Sequence, residues 1–467
     1  MIDTKKAKSR LLSIAFSGEL QTYDSKYETN TEIDSIHASI KKYKKVSDAE
    51  KLIDVPKNWV WSRLGYITFN HGQTVPQQPF SYIDVGILDN EHQSLSRTEN
   101  IIDAKDAPSR ARKVIKKGDV IYSTVRPYLH NICVIDKDFS ETPIASTAFC
   151  VMHANSSVLL NRFLFYWLLT PEFDKFSNGN PSKGMLYPAI GEKALLNAVI
   201  PVPSIEEQKA IVRTLDKAFA LIDSIAEAQA RYTSDVTALK SKVIDAGIRG
   251  KLTEQLPEDG TAQDLFAQIQ EEKARLAKEG KIKKQKLLPA IKSEEVSFDV
   301  PENWMWVRLG DIFDHNTGKA LNASDKEGHL LEYITTSNVY WDHFELNGLK
   351  SMHFRDDEIE KCTIKKGDLL ICEGGDIGRS AIWPYEQEMR IQNHLHRLRP
   401  FNTEINVKYY FYMMWSYKNS DLINGRGIGL QGFSSKRVHS LVVPLPPLAE
   451  QKRIAERIEE ILGAVGE

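Results

Sequence analysis

The chain repeats much of its own sequence, which limits it to folds built from two similar units. Three markers occur twice, in the same order. They are VPKNWVWSRLG at 55–65 and VPENWMWVRLG at 300–310, IKKGD at 115–119 and again at 364–368, and Pro-x-Pro followed by Glu-Gln-Lys from Pro201 and from Pro444. The offsets are 300−55=245, 364−115=249 and 444−201=243. Such a duplication presents two similar surfaces and predicts a partner that itself comes in two halves.

Composition sets the broad class of protein. A chain of 467 residues with 42% hydrophobic residues can form two to four domains with real cores. No apolar run approaches the length of a membrane span. The four cysteines form no Cys-x-x-Cys pair, so we expect reduced thiols and a cytoplasmic protein. Because the net charge is only −2, any contact with nucleic acid must come from local basic patches.

A long amphipathic helix is predicted between the two copies. Ser204 and Glu207 have the spacing of a helix N-terminal capping box. From Ile211 onward, mostly apolar residues recur at alternating steps of four and three, which is the period of helix–helix packing. These residues would form one face of the helix, called the helix seam below. A helix from Ile205 to Gly247 is roughly 65 Å long, which favours a spacer over an ordinary amphipathic helix on a domain core. The seam positions are Ile211, Leu215, Ala218, Ile222, Ile225, Gln229, Tyr232, Val236, Leu239, Val243 and Ala246.

The second copy carries only the beginning of this seam, because the chain then ends. Ile454, Ile458, Ile461 and Val465 follow Ile211, Leu215, Ala218 and Ile222 at the offset of 454−211=243. The continuation occurs at the other terminus, where residues 10–20 resemble residues 242–252. Residues 442–467 followed by 1–47 therefore rebuild what 199–295 forms, and the repeat is circularly permuted. We expect the two termini to lie close together and the N-terminal helix to run antiparallel to the central one.

A shorter helix is predicted at Ala262–Lys278, where apolar residues include Leu265 and Ile269. In the permuted alignment, Ile36 and Ile40 of the N-terminal segment are predicted to correspond to Leu265 and Ile269. This helix and its N-terminal counterpart would then pack in the same way.

The predicted architecture is α+β, with two mixed α/β halves separated by two long antiparallel helices in a permuted pseudo-two-fold repeat. Short β-type runs at 119–123 and 368–372 and aromatic helices at 162–169 and 407–417 support this. Between the markers the halves diverge, as expected of one frame that carries two different surfaces. The predicted segments are an N-terminal helical segment at 1–47, a globular half at 48–203, a helical spacer at 204–296, a second half at 297–446 and a C-terminal helix at 447–467.

The motifs of catalysis and cofactor binding do not fit this sequence. Residues 374–380 lack the spacing and the lysine of a P-loop, and residues 425–429 do not follow a predicted strand, which favours a tight turn or an approach to phosphate. Residues 180–183 lack the second proline and the aromatic residue of the amino-methyltransferase motif. His394 and His396 are expected to be a satisfied or exposed pair on a strand rather than metal ligands. No catalytic residue, metal or cofactor site is therefore predicted.

Polar, basic and aromatic side chains gather in the divergent middles. Arg, Lys, Asn and Gln can make bidentate contacts to base edges, and Lys or Arg beside glycine turns suits phosphates. The alternative for each residue is a solvated charge or a hydrogen-bonded turn. The candidates for DNA binding are Arg110, Arg112, Lys113, Arg126, Tyr128, His130, Asn131, Lys183 and Tyr187 in the first half, and Lys319, Asn338, Tyr340, Arg379, Asn393, His394, Arg426 and Gln431 in the second.

Over nearly its whole length the chain resembles the specificity subunits of type I restriction–modification systems. The carriers are Trp59 and Trp61 with Trp304 and Trp306, the two KKGD strands, the two Glu-Gln-Lys helix starts, Gly250-Lys251-Leu252, and residues 271–284. The resemblance implies two target recognition domains, at 48–203 and 297–446. Each would read one half of a bipartite site in double-stranded DNA, with an unread spacer between the halves.

The resemblance also implies that the chain is a non-catalytic subunit. The helices would set the spacing and dock two methyltransferase subunits, and restriction/translocase subunits would complete the complex. S-adenosylmethionine, ATP and Mg²⁺ would belong to those partners, and no membrane is involved. The residues expected to form the helix seam and partner dock are Ile211, Leu215, Ile222, Tyr232, Val236, Leu239, Val243, Ile454, Ile458 and Ile461.

Two other classes of protein stay open from sequence alone. One is a self-contained methyltransferase or nuclease with an unusual site, which would transfer methyl groups from S-adenosylmethionine without partner subunits. The other is a coiled-coil scaffold whose globular halves bind only protein. DNA binding with a steep salt dependence would separate the specificity subunit from the scaffold, because neutralised phosphates release counterions.

Overall fold

The computed structural model describes residues 1–20, 28–96, 98–179, 188–285, 287–322, 324, 326–423 and 433–466. The chain forms two compact units, Met1–Ala230 and Arg231–Glu467, and the boundary falls inside one continuous helix. In the described part of the chain, no helix is long and apolar enough to cross a membrane. All four cysteines are free thiols and are buried.

The first unit combines a mixed β domain with helices from both sides of it in sequence. Its helices are α1 (Thr4–Ser17), α2 (Glu32–Ser39), α3 (Leu64–Ile67), α4 (Asn161–Leu168), α5 (Pro171–Gly179), α6 (Glu192–Leu196) and the first part of α7 (Ile205–Ile248). Its strands are β1 (Val60–Arg63), β2 (Thr68–Phe69), β3 (Phe80–Ile83), β4 (Leu88–Asp89), β5 (Ser94–Leu95), β6 (Ile101–Ile102), β7 (Ala111–Val114), β8 (Val120–Ser123), β9 (Ile132–Val134), β10 (Thr142–Ser146), β11 (Phe149–Ala154) and β12 (Val199–Val202).

Two four-stranded sheets form the β domain of this unit, in the orders β6-β3-β10-β7 and β2-β11-β8-β9. The β3–β10 pair is parallel, and the other pairs are antiparallel. Strand β8 is buried along its whole length, in keeping with its β-branched and aromatic residues, and the left-handed Gly118 turns the chain into it. Strands β1 and β12 pair antiparallel and bring the two ends of the domain together.

The second unit contains the rest of α7 and a further set of elements. Its helices are α8 (Ala262–Lys278), α9 (Leu309–Ile312), α10 (Asp356–Cys362), α11 (Val407–Asn419), α12 (Ser435–Ser440) and α13 (Leu448–Gly466). Its strands are β13 (Met305–Arg308), β14 (Phe313–Thr317), β15 (His329–Ile334), β16 (Val339–Tyr340), β17 (His343–Phe344), β18 (Lys350–Phe354), β19 (Thr363–Ile364), β20 (Leu369–Cys372), β21 (Ser380–Ile382), β22 (Met389–Ile391), β23 (Leu395–Pro400) and β24 (Val442–Leu445).

The strand order of the second unit repeats that of the first. Its sheets run β18-β15-β22-β19 and β14-β23-β20-β21, and β13 pairs with β24 as β1 pairs with β12. The β15–β22 pair is parallel, like β3–β10. This confirms the predicted duplicated α+β architecture. The middles that diverge in sequence nevertheless share one topology.

A buried hydrogen bond joins the start of each domain to a core helix. Trp59 Nε1 donates to Glu207 Oε1 of α7 at 2.9 Å, and Trp304 Nε1 donates to Glu450 Oε2 of α13 at 2.8 Å. Both glutamates are buried, and burial raises the pKa of each carboxyl group. The repeated tryptophan and the repeated glutamate are therefore two ends of one contact.

The glutamine after each of these glutamates closes the other side of the frame. Gln208 Nε2 donates to Pro203 O at 3.0 Å, and Gln451 Nε2 donates to Pro446 O at 2.8 Å. Their Oε1 atoms accept backbone N–H groups at the starts of α4 and α11. Because helix starts leave N–H groups unsatisfied, the buried glutamines fix each aromatic helix against the core helix.

The permuted part of the repeat is visible in one turn that occurs in both units. Gly18 follows α1 with φ +83°, and a Cβ atom there would lie 2.4 Å from Pro56 Cγ. Gly250 follows α7 with φ +69°, and its Cβ would lie 2.5 Å from Pro301 Cγ. Helix α1 is therefore the counterpart, in the first unit, of the end of α7 in the second. The closeness of the two chain termini stays a prediction.

Within the first unit, α1 runs antiparallel to α7, as predicted. Ile2 N donates to Gln229 Oε1 at 2.6 Å, and further along α1 Lys8 Nζ lies 2.5 Å from Asp223 Oδ1. The Lys8 ammonium also lies over the ring of Phe219, 5.1 Å from its centroid. As residue numbers rise along α1, their partners on α7 fall.

The long helix spans 44 residues, close to the predicted bounds. Ser204 Oγ accepts the N–H of Glu207 at 3.3 Å, which is one half of the predicted capping box. The Glu207 carboxylate bonds to Trp59 instead of returning to Ser204. Helix α8 has the predicted bounds, and α4 and α11 lie within two residues of theirs.

The helix seam divides into buried and exposed positions, which corrects part of the predicted partner dock. Five of its members pack inside the unit cores and are not available to a partner: Ile211, Leu215, Val243, Ile454 and Ile458. Tyr232 and Leu239 are 56% and 44% exposed. Ile222, Val236 and Ile461 are half-buried. The ends of α7 thus behave as an ordinary core helix, while its middle presents apolar side chains to the surface.

The register predicted for α2 was wrong. Its buried positions are Ile33 and His37, which precede Leu265 and Ile269 by 265−33=232 residues, the offset of the two glycine turns. The isoleucines predicted at these positions are half-buried. His37 escaped prediction because histidine is polar, but its Nε2 atom lies 2.8 Å from Ser62 Oγ, so the buried ring has a partner.

We predict that Gly250→Ala lowers the melting temperature more than Gly280→Ala. Both glycines follow a helix at positive φ, where a Cβ atom costs roughly 1–2 kcal/mol in the left-handed region. Only at Gly250 does the added atom also meet Pro301, whereas Gly280 has open space. Thermal unfolding followed by circular dichroism measures the difference. Equal losses in both variants would show that the contact with Pro301 carries no stability.

Candidate nucleic-acid interface

In each unit, most of the candidate residues lie on or next to the loops at one end of the sheet that contains β8 or β20. This end of the sheet is called the edge below. In the first unit the β8–β9 loop contains Arg126, Tyr128, His130 and Asn131. In the second unit the β20–β21 loop, residues 373–379, occupies the same place in the sheet and ends at Arg379. The two loops differ in length and composition, so only the shared strand order reveals that they correspond.

Hydrogen bonds bring other segments of the first unit to this edge. Thr124 N donates to Ala148 O at 2.8 Å, which joins the β8–β9 loop to the turn between β10 and β11. The residue before Ala148 donates its amide to Arg110 O, also at 2.8 Å. Arg126 N donates to Pro188 O at 2.8 Å. Candidate residues far apart in sequence therefore meet here.

The first unit presents two exposed arginines and a tyrosine at this edge. Arg110 and Arg126 are exposed, and Tyr128 is 49% exposed. Arg126 and His130 have left-handed φ values of +50° and +51°, which are uncommon for residues with a Cβ atom and often occur at functional sites. His130 Nε2 lies 2.8 Å from Asp174 Oδ1, so an acidic group accompanies the loop.

Three residues of this unit that were predicted to contact DNA are instead buried or half-buried within the protein. Lys113 is buried with its Nζ 2.8 Å from Glu192 Oε1, so its charge is already compensated. Arg112 is half-buried and donates to a neighbouring carbonyl, and Asn131 is buried. Four further predicted contacts lie outside the described residues: Lys183, Tyr187, Arg426 and Gln431.

The equivalent edge of the second unit is held together by backbone hydrogen bonds as well. Glu373 N donates to His394 O at 2.9 Å, which joins the β20–β21 loop to the turn between β22 and β23. Asn393 N donates to Lys319 O at 3.0 Å. Phe433 N donates to Glu373 O at 3.2 Å. The bond between loop and turn is therefore shared by both units, whereas the turn bonds next to Arg110 before β7 in the first unit and to Lys319 after β14 in the second.

An aromatic and cationic stack stands at this second edge. Tyr340 is 40% exposed, and its ring stacks on that of His343 with centroids 4.9 Å apart and planes 11° apart. The Arg379 guanidinium lies over the Tyr340 ring, 5.2 Å from its centroid, and its Nη2 donates to Thr336 O at 2.7 Å. These contacts fix the guanidinium plane against the exposed tyrosine ring, with Nη2 bonded to the backbone and Nε buried.

Other candidates of the second unit have structural partners. Lys319 Nζ lies 2.7 Å from Glu358 Oε2, and its side chain is largely buried. The Asn338 amide bonds to backbone groups around its own turn. The Asn393 side chain is half-buried, whereas that of His394 is 57% exposed and lies 3.7 Å from Glu373. Tyr340 and His394 are thus the exposed candidates here, while Arg379 is half-buried beside the Tyr340 ring.

A histidine pair, with His396 buried and His315 half-buried, lies behind this edge. His396 Nδ1 is 3.0 Å from His315 Nε2, and His396 Nε2 is 2.7 Å from Phe433 O. His394 is exposed and His396 has partners on both ring nitrogens, and the expectation that they are not metal ligands stays a prediction. Burial lowers the pKa of His315 to about 3 and also lowers the pKa of His396 and His439.

Sequence reasoning missed one cluster in the first unit. His71, Asp119 and His153 bring three ligand-type atoms within 4.8 Å of one another. The spacing of these residues gives no motif, because a turn and two strands bring them together. The available signal was that Asp119 belongs to a repeated marker, so its surroundings could be compared with those of Asp368.

Taken together, the fold and the two edges define a modular recognition protein rather than an enzyme. One mixed α/β unit occurs twice, and each copy presents different side chains on the same backbone edge. The family model for the type I restriction modification DNA specificity domain matches residues 56–231 and 301–464. The chain therefore belongs to this family: it is a specificity subunit of a type I restriction–modification system, a non-catalytic subunit that recognises DNA.

Several characterised relatives are similar over much of the chain. The EcoAI specificity subunit of Escherichia coli is 25% identical over 98% of this chain and 89% of the relative. The EcoEI specificity subunit of Escherichia coli is 23% identical over 98% and 88%. The HindI specificity subunit of Haemophilus influenzae is 28% identical over 49% of this chain and 54% of the relative.

Solved structures agree with this fold. The HsdS subunit from Thermoanaerobacter tengcongensis is 24% identical, with a TM-score of 0.54 over 90% of this chain and 92% of that chain. A chain from a structural study of complex assembly and conformational transition of the type I R-M system is 25% identical. Its TM-score is 0.64 over 88% of this chain and 92% of that one.

We predict that acid destabilises the second unit through His315. Burial lowers the pKa of this ring to about 3, so the folded unit keeps the ring neutral. In the unfolded chain the same ring takes up a proton as the pH falls through the ordinary pKa of histidine. The free energy of unfolding is therefore unaffected by this group above about pH 6.5, and it falls by about 1.4 kcal/mol per pH unit between about pH 6.5 and about pH 3. Melting temperatures between pH 8 and pH 5 measure this slope.

His315→Gln should flatten the pH dependence, because the titrating ring is gone while a hydrogen-bonding side chain remains. His394→Gln is the matched control, since His394 is exposed on the same edge and should leave the slope unchanged. Identical slopes in the wild type and both variants would sink the assignment to His315.

Proposed function

We propose that each unit reads one half of a bipartite site in double-stranded DNA with the sheet edge described above. The observation that carries the proposal is one backbone frame with two unlike sets of side chains. The first edge offers Arg110, Arg126 and Tyr128, and the second offers Tyr340 with Arg379. Because the chemistry of the two edges differs, the two half-sites should differ as well.

The proposed partners are two methyltransferase subunits, completed by restriction/translocase subunits. Exposed apolar side chains on the middle of α7 support docking there: Leu221 is 62% exposed, Tyr232 56% and Leu239 44%. Exposed apolar groups along one helix favour a protein interface over contact with water. S-adenosylmethionine, ATP and Mg²⁺ would act on the partner subunits.

Helix α7 is proposed to set the unread spacer between the half-sites. Its 44 residues extend about 66 Å at about 1.5 Å each. At about 3.4 Å per base pair, the half-site centres can be at most about 19 base pairs apart. Two related domains that face the same side of the duplex favour a separation of about one helical turn.

We predict that exchanging residues 48–203 for the equivalent region of the EcoAI specificity subunit changes one half-site only. The two ends of this segment lie next to each other, because Val60 pairs with Val202 in the β1–β12 strand pair. The segment can therefore be exchanged as one piece. The chimaera is expressed with its methyltransferase subunit, and the methylated motif is determined by single-molecule sequencing of host DNA. Exchanging 297–446 is the reciprocal control. Alteration of both half-sites by either exchange would refute separate reading.

We predict that a heptad inserted after Leu239 lengthens the unread gap without changing the bases read. Seven helical residues add about 10 Å, or about three base pairs, and Leu239 lies where the helix is exposed. The methylated motif is again the measurement. A control replaces residues 233–239 with the inserted sequence at constant length and should keep the original gap. If the gap stays the same in the insertion variant, α7 does not act as the ruler.

A further inference from the structure

The turn before the central strand holds a buried aspartate in both units. Asp119 and Asp368 end the two IKKGD markers and are 0% and 2% exposed. In each turn Oδ2 accepts a backbone N–H from three residues earlier, Lys116 or Lys365, at 2.7 Å. Each unit therefore has to compensate one carboxylate that is removed from water, because a buried charge without a partner is costly.

The second unit compensates its aspartate with an arginine. Arg399 Nε donates to Asp368 Oδ1 at 2.8 Å, and Arg399 Nη2 donates to Asp368 Oδ2 at 2.6 Å. This is a bidentate, charge-assisted pair, the strongest common arrangement for a carboxylate. It ties strand β23 to the turn that leads into β20.

The first unit has a histidine where the second has this arginine. The strand pairs β8–β11 and β20–β23 have equivalent registers, and in that alignment His153 takes the place of Arg399. His153 Nδ1 lies 2.6 Å from Asp119 Oδ1. Directly after β2, His71 places its Nε2 atom 3.1 Å from the same oxygen. Among the described residues, the ion-pair contacts of Asp119 are these two imidazoles.

We propose that the first unit binds one divalent transition-metal ion, of the Zn²⁺ class, through His71 Nε2, His153 Nδ1 and Asp119 Oδ1. The ion would supply the positive charge that Arg399 supplies to Asp368. Two imidazoles and one carboxylate are ligands that suit Zn²⁺, and a water molecule completes a four-coordinate site. The proposal is independent of which DNA sequence the protein reads.

The three ligand atoms lie within 4.8 Å of one another, and one separation is already close to that around a bound ion. Tetrahedral Zn²⁺ with bonds of about 2.0 Å holds its ligand atoms about 3.3 Å apart. The separation of His71 Nε2 from Asp119 Oδ1, 3.1 Å, is already near this value. The 2.6 Å separation of His153 Nδ1 from the same oxygen would have to widen when the ion binds.

The surroundings of the cluster support the same assignment. The Lys116 N–H holds Asp119 Oδ2, which orients the carboxylate in the way that groups behind a metal ligand do. Phe69 packs against both imidazoles, with ring centroids 5.7 Å from His71 and 5.0 Å from His153. The His71 and His153 side chains are 13% and 27% exposed, which leaves a path for an ion and its water ligand.

The bound ion would act as a structural pin. It would join the end of β2, strand β11 and the turn before β8, as the arginine pair joins the corresponding parts of the second unit. Strand β8 leads directly into the loop that carries Arg126 and Tyr128, so the pin would hold the base of the proposed reading edge. The two units would thus solve one electrostatic problem with different chemistry.

The test uses the full-length chain without an affinity tag. Metal content is measured by mass spectrometry, and melting temperature is measured after treatment with a chelator and after addition of ZnSO₄. We expect one metal ion per chain, a lower melting temperature after chelation, and recovery with Zn²⁺. His71→Ala and His153→Ala should each weaken Zn²⁺ binding by about 100-fold or more, because each removes one of three protein ligands.

His153→Arg separates the metal from the fold. This variant should rebuild the ion pair of the second unit with Asp119, so it should lose the metal, stay folded and become insensitive to the chelator. His92→Ala is the matched control, because His92 forms an exposed pair with Asp89, with 2.8 Å between Nδ1 and Oδ2, and should leave metal binding unchanged. A metal-free wild type whose melting temperature responds neither to chelator nor to Zn²⁺ would overturn the proposal. Equal Zn²⁺ affinities of the wild type and both alanine variants would overturn it as well.

Discussion

The buried bond from tryptophan to glutamate is the contact on which both units depend. It joins the residue before the opening strand of each domain to the first turn of the helix that follows the domain. The bond therefore links residues about one domain apart in sequence, Trp59 to Glu207 and Trp304 to Glu450. A buried carboxylate that loses one of its donors is destabilised, although Asn58 and Gln255 still donate to Glu207 and Glu450, so a change of either partner alone is unfavourable. In each unit the tryptophan directly precedes the first strand of the closing pair, β1–β12 or β13–β24, and the glutamate follows its second strand, so the residues between these strands form a closed insert.

This closed construction explains how one frame carries two different edges. The helices, the Pro-x-Pro segments and the tryptophans form the fixed part of each unit. The loops between the central strands are not part of these contacts. A loop that connects two paired strands can change length and composition without disturbing the frame. The β8–β9 and β20–β21 loops show this directly, because their neighbours in the sheet are equivalent and their side chains are not.

The elements that repeat or follow a strong period were predictable from the sequence. Helix α8 was predicted with its observed bounds, and α7 to within one residue at its end, because apolar periodicity and capping residues are local signals. The register of α2 failed because the buried side chain there is His37, whose partner Ser62 is remote in sequence. Lys113 looked like a DNA contact because its partner, Glu192, is also remote. Charge in a sequence gives no indication of which charges are already paired inside the fold.

The two units also show that a shared backbone does not require shared chemistry at each buried position. The polar pair of His37 and Ser62 in the first unit is replaced by Ile269 and Val307 in the second, and both arrangements fill the same space between α2 or α8 and the opening strand. Each buried polar group needs a hydrogen-bond partner, but the identity of the buried residues can change. A duplicated protein can therefore drift at paired positions in one unit without affecting the other. The contacts that stay identical in both units, from the glycine turns to the buried glutamines, are those through which each domain holds a helix.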